Sequence, residues 1–190
     1  MAAFGAIASH LYALFTRNPR SARTVVDLAD LALGERVLDV GCGAGGGVEL
    51  AAQQVGPDNV AAIDPSETFV RMVRKRVPGA DVRVGGAETV PFEDSAFSVI
   101  FSVASMHHWD DRARGLATLT RKLAPGGRLL IAERALSAPG HGITPDQATE
   151  VCVELAVLGQ HDVHTVERRA GRRRMTIIVA RRPERIDHAP

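Results

Sequence analysis

Between Arg36 and Gly47 the chain reads RVLDVGCGAGGG, and no other stretch restricts the fold so tightly. Val37, Leu38 and Val40 form a short apolar run interrupted by Asp39, and the run empties directly into glycines. An apolar run of this kind reads as a strand buried inside a parallel sheet, and the turn after it brings backbone, not side chains, up to a ligand. Gly41 and Gly43 lack the side chains that would hold a cofactor off the main chain, and Gly45 to Gly47 open a helix whose first N–H groups are unpaired.

The segments around this turn follow one rule. After it, Val48, Leu50, Ala51, Ala52 and Val55 predict a helix that stops at Gly56-Pro57, and Asn59 to Ile63 predicts a second strand ending on Asp64. Ser66 is placed to cap a helix carrying Phe69, Met72, Val73 and Val77 inside and Arg71, Arg74, Lys75 and Arg76 outside. Strands are predicted at Asp81 to Val84, Phe97 to Val103 and Arg128 to Ala132, with a loop over Gly85 to Ala96, a helix through Leu116, Leu119 and Leu123, and a turn at Pro125-Gly126-Gly127. Such alternation gives an α/β fold, a parallel sheet with helices on both faces. Thr144-Pro145-Asp146-Gln147 has the form of a capping box, starting a helix through Leu158 with Val151, Leu155 and Leu158 inside. His161 to Arg169 and Arg172 to Arg181 then have hairpin spacing, so an antiparallel pair closes the sheet.

At 190 residues, with no repeat or linker, the chain is read as one domain: N-terminal helices over residues 1–33 and a core over 34–190. Pro19 is placed at the start of a helix capped by Asn18, with Ala22, Val25, Val26 and Ala29 inward. Before it, Phe4, Ile7, Ala8, Leu11, Leu14 and Phe15 form a stripe that packs on the core or caps a pocket, with His10 and Tyr12 within reach of such a pocket. This segment is too short to span a bilayer and lacks a positive leader, and Cys42 and Cys152 show neither metal nor disulfide spacing, so a reducing cytoplasmic setting is expected. A net charge of +1 argues against a general polyanion binder, and the arginines at 168, 169, 172, 173 and 174 lack aromatic neighbours for base stacking; nucleic acid is not an expected partner.

Gly41-x-Gly43-x-x-Gly46 with Asp64 downstream is formally a dinucleotide fingerprint, which keeps an NAD-dependent oxidoreductase in view. Asp39 speaks against it, because a carboxylate beside a pyrophosphate is repulsive. S-adenosylmethionine, with an ammonium, a sulfonium and a ribose but no phosphate, matches the polarity: Asp39 suits the ammonium and Asp64 suits the ribose hydroxyls.

Here the sequence resembles the class I S-adenosylmethionine-dependent methyltransferases, in particular the small-molecule branch of the ubiquinone and menaquinone biosynthesis type. The resemblance spans roughly Val25 to Glu133 and rests on four motifs in order: VLDVGCGAGG, AAIDPS, GGAETVPFEDSAFSVIFSVASMHHW and PGGRLLIAE. It implies a three-layer Rossmann-like sandwich with a seven-stranded, mostly parallel sheet and an antiparallel C-terminal hairpin. It also implies methyl transfer from S-adenosyl-L-methionine to a small-molecule acceptor, with S-adenosyl-L-homocysteine as product. A non-catalytic binder of the same cofactor is the alternative.

By position, the resemblance puts Asp39, Gly41 and Gly43 on the methionyl side, Asp64 at the ribose and Pro65 beside the adenine. Gly86, Ala87 and Glu88 fall in the adenine loop, and Ser102 and Val103 beneath the cofactor. Many relatives have Asp where Gly86 stands, so the adenine amino group would be met instead by backbone carbonyls, Glu88 or Asp81. His107 and His108 are the candidates for contacting or deprotonating the acceptor. Trp109 either walls a substrate pocket or anchors the core. His141, His161 and His164 show no metal-ligand spacing, so no metal is expected. The segment after the fifth strand, ALSAPGHGI, is short for a lid, and a monomer or homodimer fits the reading.

Overall fold

The computed structural model describes residues 19–184. The stripe from Phe4 to Phe15, with His10 and Tyr12, and the cap position Asn18 lie outside them. The first described element is helix α1 (Pro19–Ala29), followed by strand β1 (Val37–Val40), helix α2 (Gly46–Val55), strand β2 (Val60–Asp64), helix α3 (Glu67–Arg76) and strand β3 (Asp81–Val84). Strand β4 (Phe97–Val103), helix α4 (Arg112–Lys122), strand β5 (Leu123–Arg134), helix α5 (Pro145–Val157) and strands β6 (His161–Ala170) and β7 (Arg173–Arg181) complete the order.

The seven strands form one sheet in the order β3-β2-β1-β4-β5-β7-β6. β1 pairs in parallel with β2 and β4, β2 with β3, and β4 with β5, whereas β7 runs antiparallel to both β5 and β6. This is the α/β sandwich with an antiparallel C-terminal hairpin expected from the sequence. The strand order reverses between β1 and β4, the place where open α/β sheets bind ligands at their carboxyl ends.

Side-chain alternation splits the core in two. Val37, Val60, Ala62, Val99, Phe101 and Leu130 face the layer built by α1, α2 and α3, where Val25, Val26, Val48, Ala51, Val70 and Val73 meet them. Leu38, Val40, Ile63, Ile100, Leu129 and Ile131 face the other layer, filled by Leu116 and Leu119 of α4 and by Val151 and Leu155 of α5. Arg128 fastens α1 from within β5: it donates to the carbonyls of Ala29, the last residue of that helix, and of Asp30 just past it, and pairs with Glu35 at 2.6 Å. A guanidinium there satisfies carbonyls that the helix itself leaves open.

Four local expectations need correction. Ser66 occupies the N-cap of α3, but its hydroxyl caps nothing; its own N–H instead donates to Asp64 Oδ1 at 2.9 Å. Arg76 does not simply face water, since it donates to the carbonyl of Ala44 in the glycine turn. The Pro125-Gly126-Gly127 turn lies inside β5 as an irregularity in its pairing with β4, because Leu123 already pairs with Phe97 before the regular register begins at Arg128. Leu158 is 38% exposed, one position past the end of α5.

The capping box on α5 is present in both directions: Gln147 N–H donates to Thr144 Oγ1, and Thr144 N–H donates to Gln147 Oε1. Thr144 is buried, so loss of its hydroxyl strands a donor that water does not easily reach. Thr144→Ala is expected to destabilise the fold by about 1 kcal/mol, and Thr144→Ser to restore most of it, measured by urea unfolding.

Candidate active site

The carboxyl ends of β3, β2, β1 and β4 lie side by side, and the glycine turn crosses above β1. Asp39 points into the layer beneath α2 and is 4% exposed. α2 comes this close only because Gly47 has no side chain; a Cβ there would lie 2.5 Å from Asp39 Oδ2 and 2.8 Å from Phe101. The backbone N–H of Val48, in the first turn of α2, faces the Asp39 carboxylate and favours its charged form. Burial first and the nearby Asp64 carboxylate second push the Asp39 pKa up to about 8, against the opposing pull of the Val48 N–H.

Asp64, at the end of β2, is likewise buried. Its Oδ2 accepts from the Gly43 N–H at 2.8 Å and its Oδ1 from the Ser66 N–H at 2.9 Å. Burial raises its pKa, and these two amides oppose the shift. Each oxygen keeps a second lone pair for another donor. One amide of the turn is therefore engaged by a carboxylate of the protein itself, Gly43 N–H by Asp64, and Val48 N–H at the helix start faces Asp39. The N–H groups of Gly41 and Cys42 both go to the carbonyl of Ile63. A pyrophosphate would arrive beside the Asp64 carboxylate, with the Gly43 amide already engaged.

The glycines divide their work differently from the sequence expectation. Gly43 (φ +50) has nothing within 4 Å of a Cβ built on it, so it borders open space. Gly41 (φ +72) does not: a Cβ there would lie 2.0 Å from Ser105 Oγ. Ser105 reaches this position because the chain leaves β4 through Ala104 at φ 53, a left-handed conformation costly for alanine, on the order of 1 kcal/mol or more. The space freed by Gly41 thus admits a serine of the neighbouring strand's loop.

In the adenine loop Ala87 is buried, while Glu88 accepts from the Asp111 N–H at 3.2 Å through Oε1 and brings Oε2 to within 3.0 Å of a Cβ on Gly86. Asp81 is not in place to substitute for the side chain missing at Gly86: it begins β3, at the opposite end of that strand, and is held by Arg83 at 2.6 and 2.9 Å. Val84, at the carboxyl end of β3 and in register with Asp64, is 48% exposed, and sequence reasoning passed it over because it reads as an ordinary strand residue. Pro65 is exposed. Ser102 is 1% exposed and its hydroxyl donates to the Val40 carbonyl at 3.0 Å, so it ties β4 to β1 and offers only backbone to a ligand; Val103 follows, half-buried.

Beyond β4, a short turn from Met106 to His108 carries the two histidines. His107 Nδ1 lies 2.8 Å from Oε2 of Glu133, a carboxylate 1% exposed near the end of β5. This bond raises the His107 pKa against the opposing effect of burial, whereas burial and the neighbouring His107 lower that of His108. Trp109 packs on Gly115 of α4, where a Cβ would lie 2.8 Å from the indole, and its Nε1 donates to Ser105 Oγ at 3.4 Å; it anchors the core. Glu133 was legible only as a strand end, its pairing with His107 being a product of the β4–β5 register.

A family model described as "Methyltransferase domain" matches residues 38–131. Among curated proteins, the chain is 37% identical over 99 residues to phthiotriol/phenolphthiotriol dimycocerosates methyltransferase 1 of Mycobacterium ulcerans, covering 51% of this chain and 36% of that one. It is 32% identical over 143 residues to a phthiotriol/phenolphthiotriol dimycocerosates methyltransferase of Mycobacterium tuberculosis, covering 74% of this chain and 50% of the relative. The chain thus spans half or less of the length of these curated relatives. Among solved structures, a SAM-dependent methyltransferase from Aquifex aeolicus superimposes with a TM-score of 0.70 at 24% identity, over 84% of this chain and 88% of the other.

The raised pKa of Asp39 has a thermodynamic consequence. From its ordinary value of 3.8 up to about 8, the unfolded chain carries the ionised carboxylate while the folded chain holds the proton. Stability therefore falls as pH rises through this window and levels off above it. Asp39→Asn, which keeps an oxygen for the Val48 N–H, is expected to raise the thermal midpoint of the ligand-free protein. That gain should widen from about pH 5 to about pH 8, followed by differential scanning fluorimetry; a gap that does not change with pH would contradict the assignment.

Proposed function

The chain belongs to the S-adenosylmethionine-dependent methyltransferases of class I, and on that footing we propose that it moves a methyl group from S-adenosylmethionine to a hydroxyl-bearing small-molecule acceptor. One observation supports the cofactor assignment above the others: Asp64 engages the Gly43 amide of the glycine turn and Asp39 lies buried close by, so the site offers acidic side chains in place of a full set of free amides. A cationic, phosphate-free nucleoside suits such a site. When bound, the cofactor supplies a methyl group on a sulfonium, open to in-line displacement with S-adenosylhomocysteine as the leaving product.

In this reading Asp39 favours the ammonium of the methionyl part, directly or through water, and the open space at Gly43 admits that part against the backbone. The remaining lone pairs of Asp64 accept the ribose hydroxyls. Pro65 and Val84 flank the adenine, and Gly86 to Glu88 border its edge. Ser102 and Val103 form the floor by their backbone. Glu133 fixes His107 through Nδ1, leaving Nε2 as the nitrogen able to meet an acceptor hydroxyl or take its proton. His108, its pKa lowered, stays neutral to lower pH and is the alternative base. The protein's share of the rate is alignment and exclusion of water.

The names of the mycobacterial relatives give diesters of triols, each with one hydroxyl left free, which supports a hydroxyl as the receiving group here. A reducing, cytoplasmic setting belongs to the same proposal and draws on Cys42 and Cys152 being free thiols. Among the described residues no helix is long and apolar enough to cross a membrane.

Titration calorimetry is expected to show binding of S-adenosylmethionine and S-adenosylhomocysteine and none of NAD; the reverse pattern would restore the oxidoreductase reading. Asp64→Ala should abolish measurable cofactor binding. His107→Ala should keep binding but lower transfer of labelled methyl to a panel of alcohols and phenols by about 10²-fold or more, the usual worth of a positioned base. Unchanged transfer in that variant would remove His107 from the chemistry.

A further inference from the structure

The loop after β5 is closed at its neck. Ala135 and Ile143 form a bridge, Leu136 N–H donates to the Ile143 carbonyl at 2.9 Å, and Ile143 N–H donates to the Arg134 carbonyl at 2.9 Å. Gly142, at φ +155, lies so close to the Arg134 carbonyl that a Cβ would sit 2.3 Å from it. The pinch turns the loop back toward the sheet and delivers His141 to the two histidines beyond β4. The ring centroid of His141 is 5.6 Å from that of His107 and 6.0 Å from that of His108, and the latter two are 4.0 Å apart.

From this geometry we propose that His107, His108 and His141 form a three-imidazole site for a borderline divalent transition-metal ion, Zn²⁺ foremost. One ligand nitrogen from each ring already lies within 4.8 Å of the others. A tetrahedral ion with Zn–N bonds of about 2.0–2.1 Å holds its nitrogens roughly 3.3 Å apart, a closure within the reach of ring rotation. His108 and His141 are exposed and free to make that adjustment.

The third ring is held in advance. Glu133 takes Nδ1 of His107, which fixes that ring and leaves Nε2 for an ion, which when bound would hold that nitrogen in place of an acceptor proton. A buried carboxylate behind a ligating imidazole is the arrangement that orients histidines in zinc sites and raises their basicity as ligands. Three neutral imidazoles with no thiolate or carboxylate among the ligands select Zn²⁺, Co²⁺ or Cu²⁺ over Mg²⁺ or Ca²⁺. With three protein ligands, the ion would keep at least one open position, as catalytic zinc sites do. Spacing along the chain gave no sign of this site, because the turn after β4 and the loop after β5 meet only through the pairing of those strands.

The test uses the untagged 190-residue chain, stripped with a chelator and titrated with Zn²⁺ by calorimetry and with Co²⁺ by visible absorption. The expected result is one saturable ion per chain, with intense d–d absorption for tetrahedral Co²⁺. His141→Ala should abolish it while leaving S-adenosylhomocysteine binding, and hence the fold, intact. Glu133→Gln should weaken it by about 10–100-fold. Weak, multiple binding that His141→Ala does not alter would reduce the cluster to exposed imidazoles and overturn the site. Because the readout needs neither cofactor nor acceptor, its failure would leave the methyl-transfer proposal untouched.

Discussion

Burying Asp39 beneath the first turn of α2 sets the terms for its neighbours. A carboxylate in an apolar layer is tolerated only with a hydrogen-bond donor and with room for its oxygens. Val48 N–H supplies the first and the bare Cα of Gly47 the second. With α2 drawn in to that distance, the glycine turn must pass over the end of β1, where its next amide meets Asp64. Arg76 of α3 then holds the turn from the other side through the Ala44 carbonyl. Holding Asp39 in this layer costs stability as the pH rises toward about 8, a cost of the kind often found at functional sites.

Much of this could be read along the chain, and the limits of that reading have physical causes. Strand alternation made the two-sided core legible, since residues one apart, such as Val37 and Leu38, must pack on opposite faces. The capping box was legible because all its partners lie within one turn. Failures came wherever a nearby group outcompeted the local pattern. Ser66 is a good N-cap residue, but the Asp64 carboxylate beside it took its N–H and no side-chain cap formed. Leu158 fits the helical period of α5, yet the helix stops before it. At the candidate site, Asp39 and Asp64 stood out as acids after apolar runs, whereas Glu133 and His141 did not, because their importance comes only from the β4–β5 register.

The glycine turn shows why a motif does not identify a ligand by itself. Its spacing is shared with dinucleotide sites, and the fold around it hosts many activities. What separates the cases is where the amides go. In a phosphate site they stay open to the anion. Here Gly41 and Cys42 give theirs to the Ile63 carbonyl and Gly43 gives its own to Asp64, and Gly41 spends its missing Cβ on Ser105. The turn is therefore braced by the protein itself, with two buried acidic side chains next to it.

The pinched neck of the loop after β5 bears on how such a protein can change its substrate. Because Ala135 and Ile143 are already bridged, the loop's ends are brought together by the sheet, and the closure entropy is settled at the neck. Lengthening the tip between them then adds only a logarithmic cost, about 0.6 kcal/mol for each doubling. Insertions of very different size and polarity can be carried there while the strands below keep their register, so the tip of the loop is free to vary at little cost to the fold beneath it.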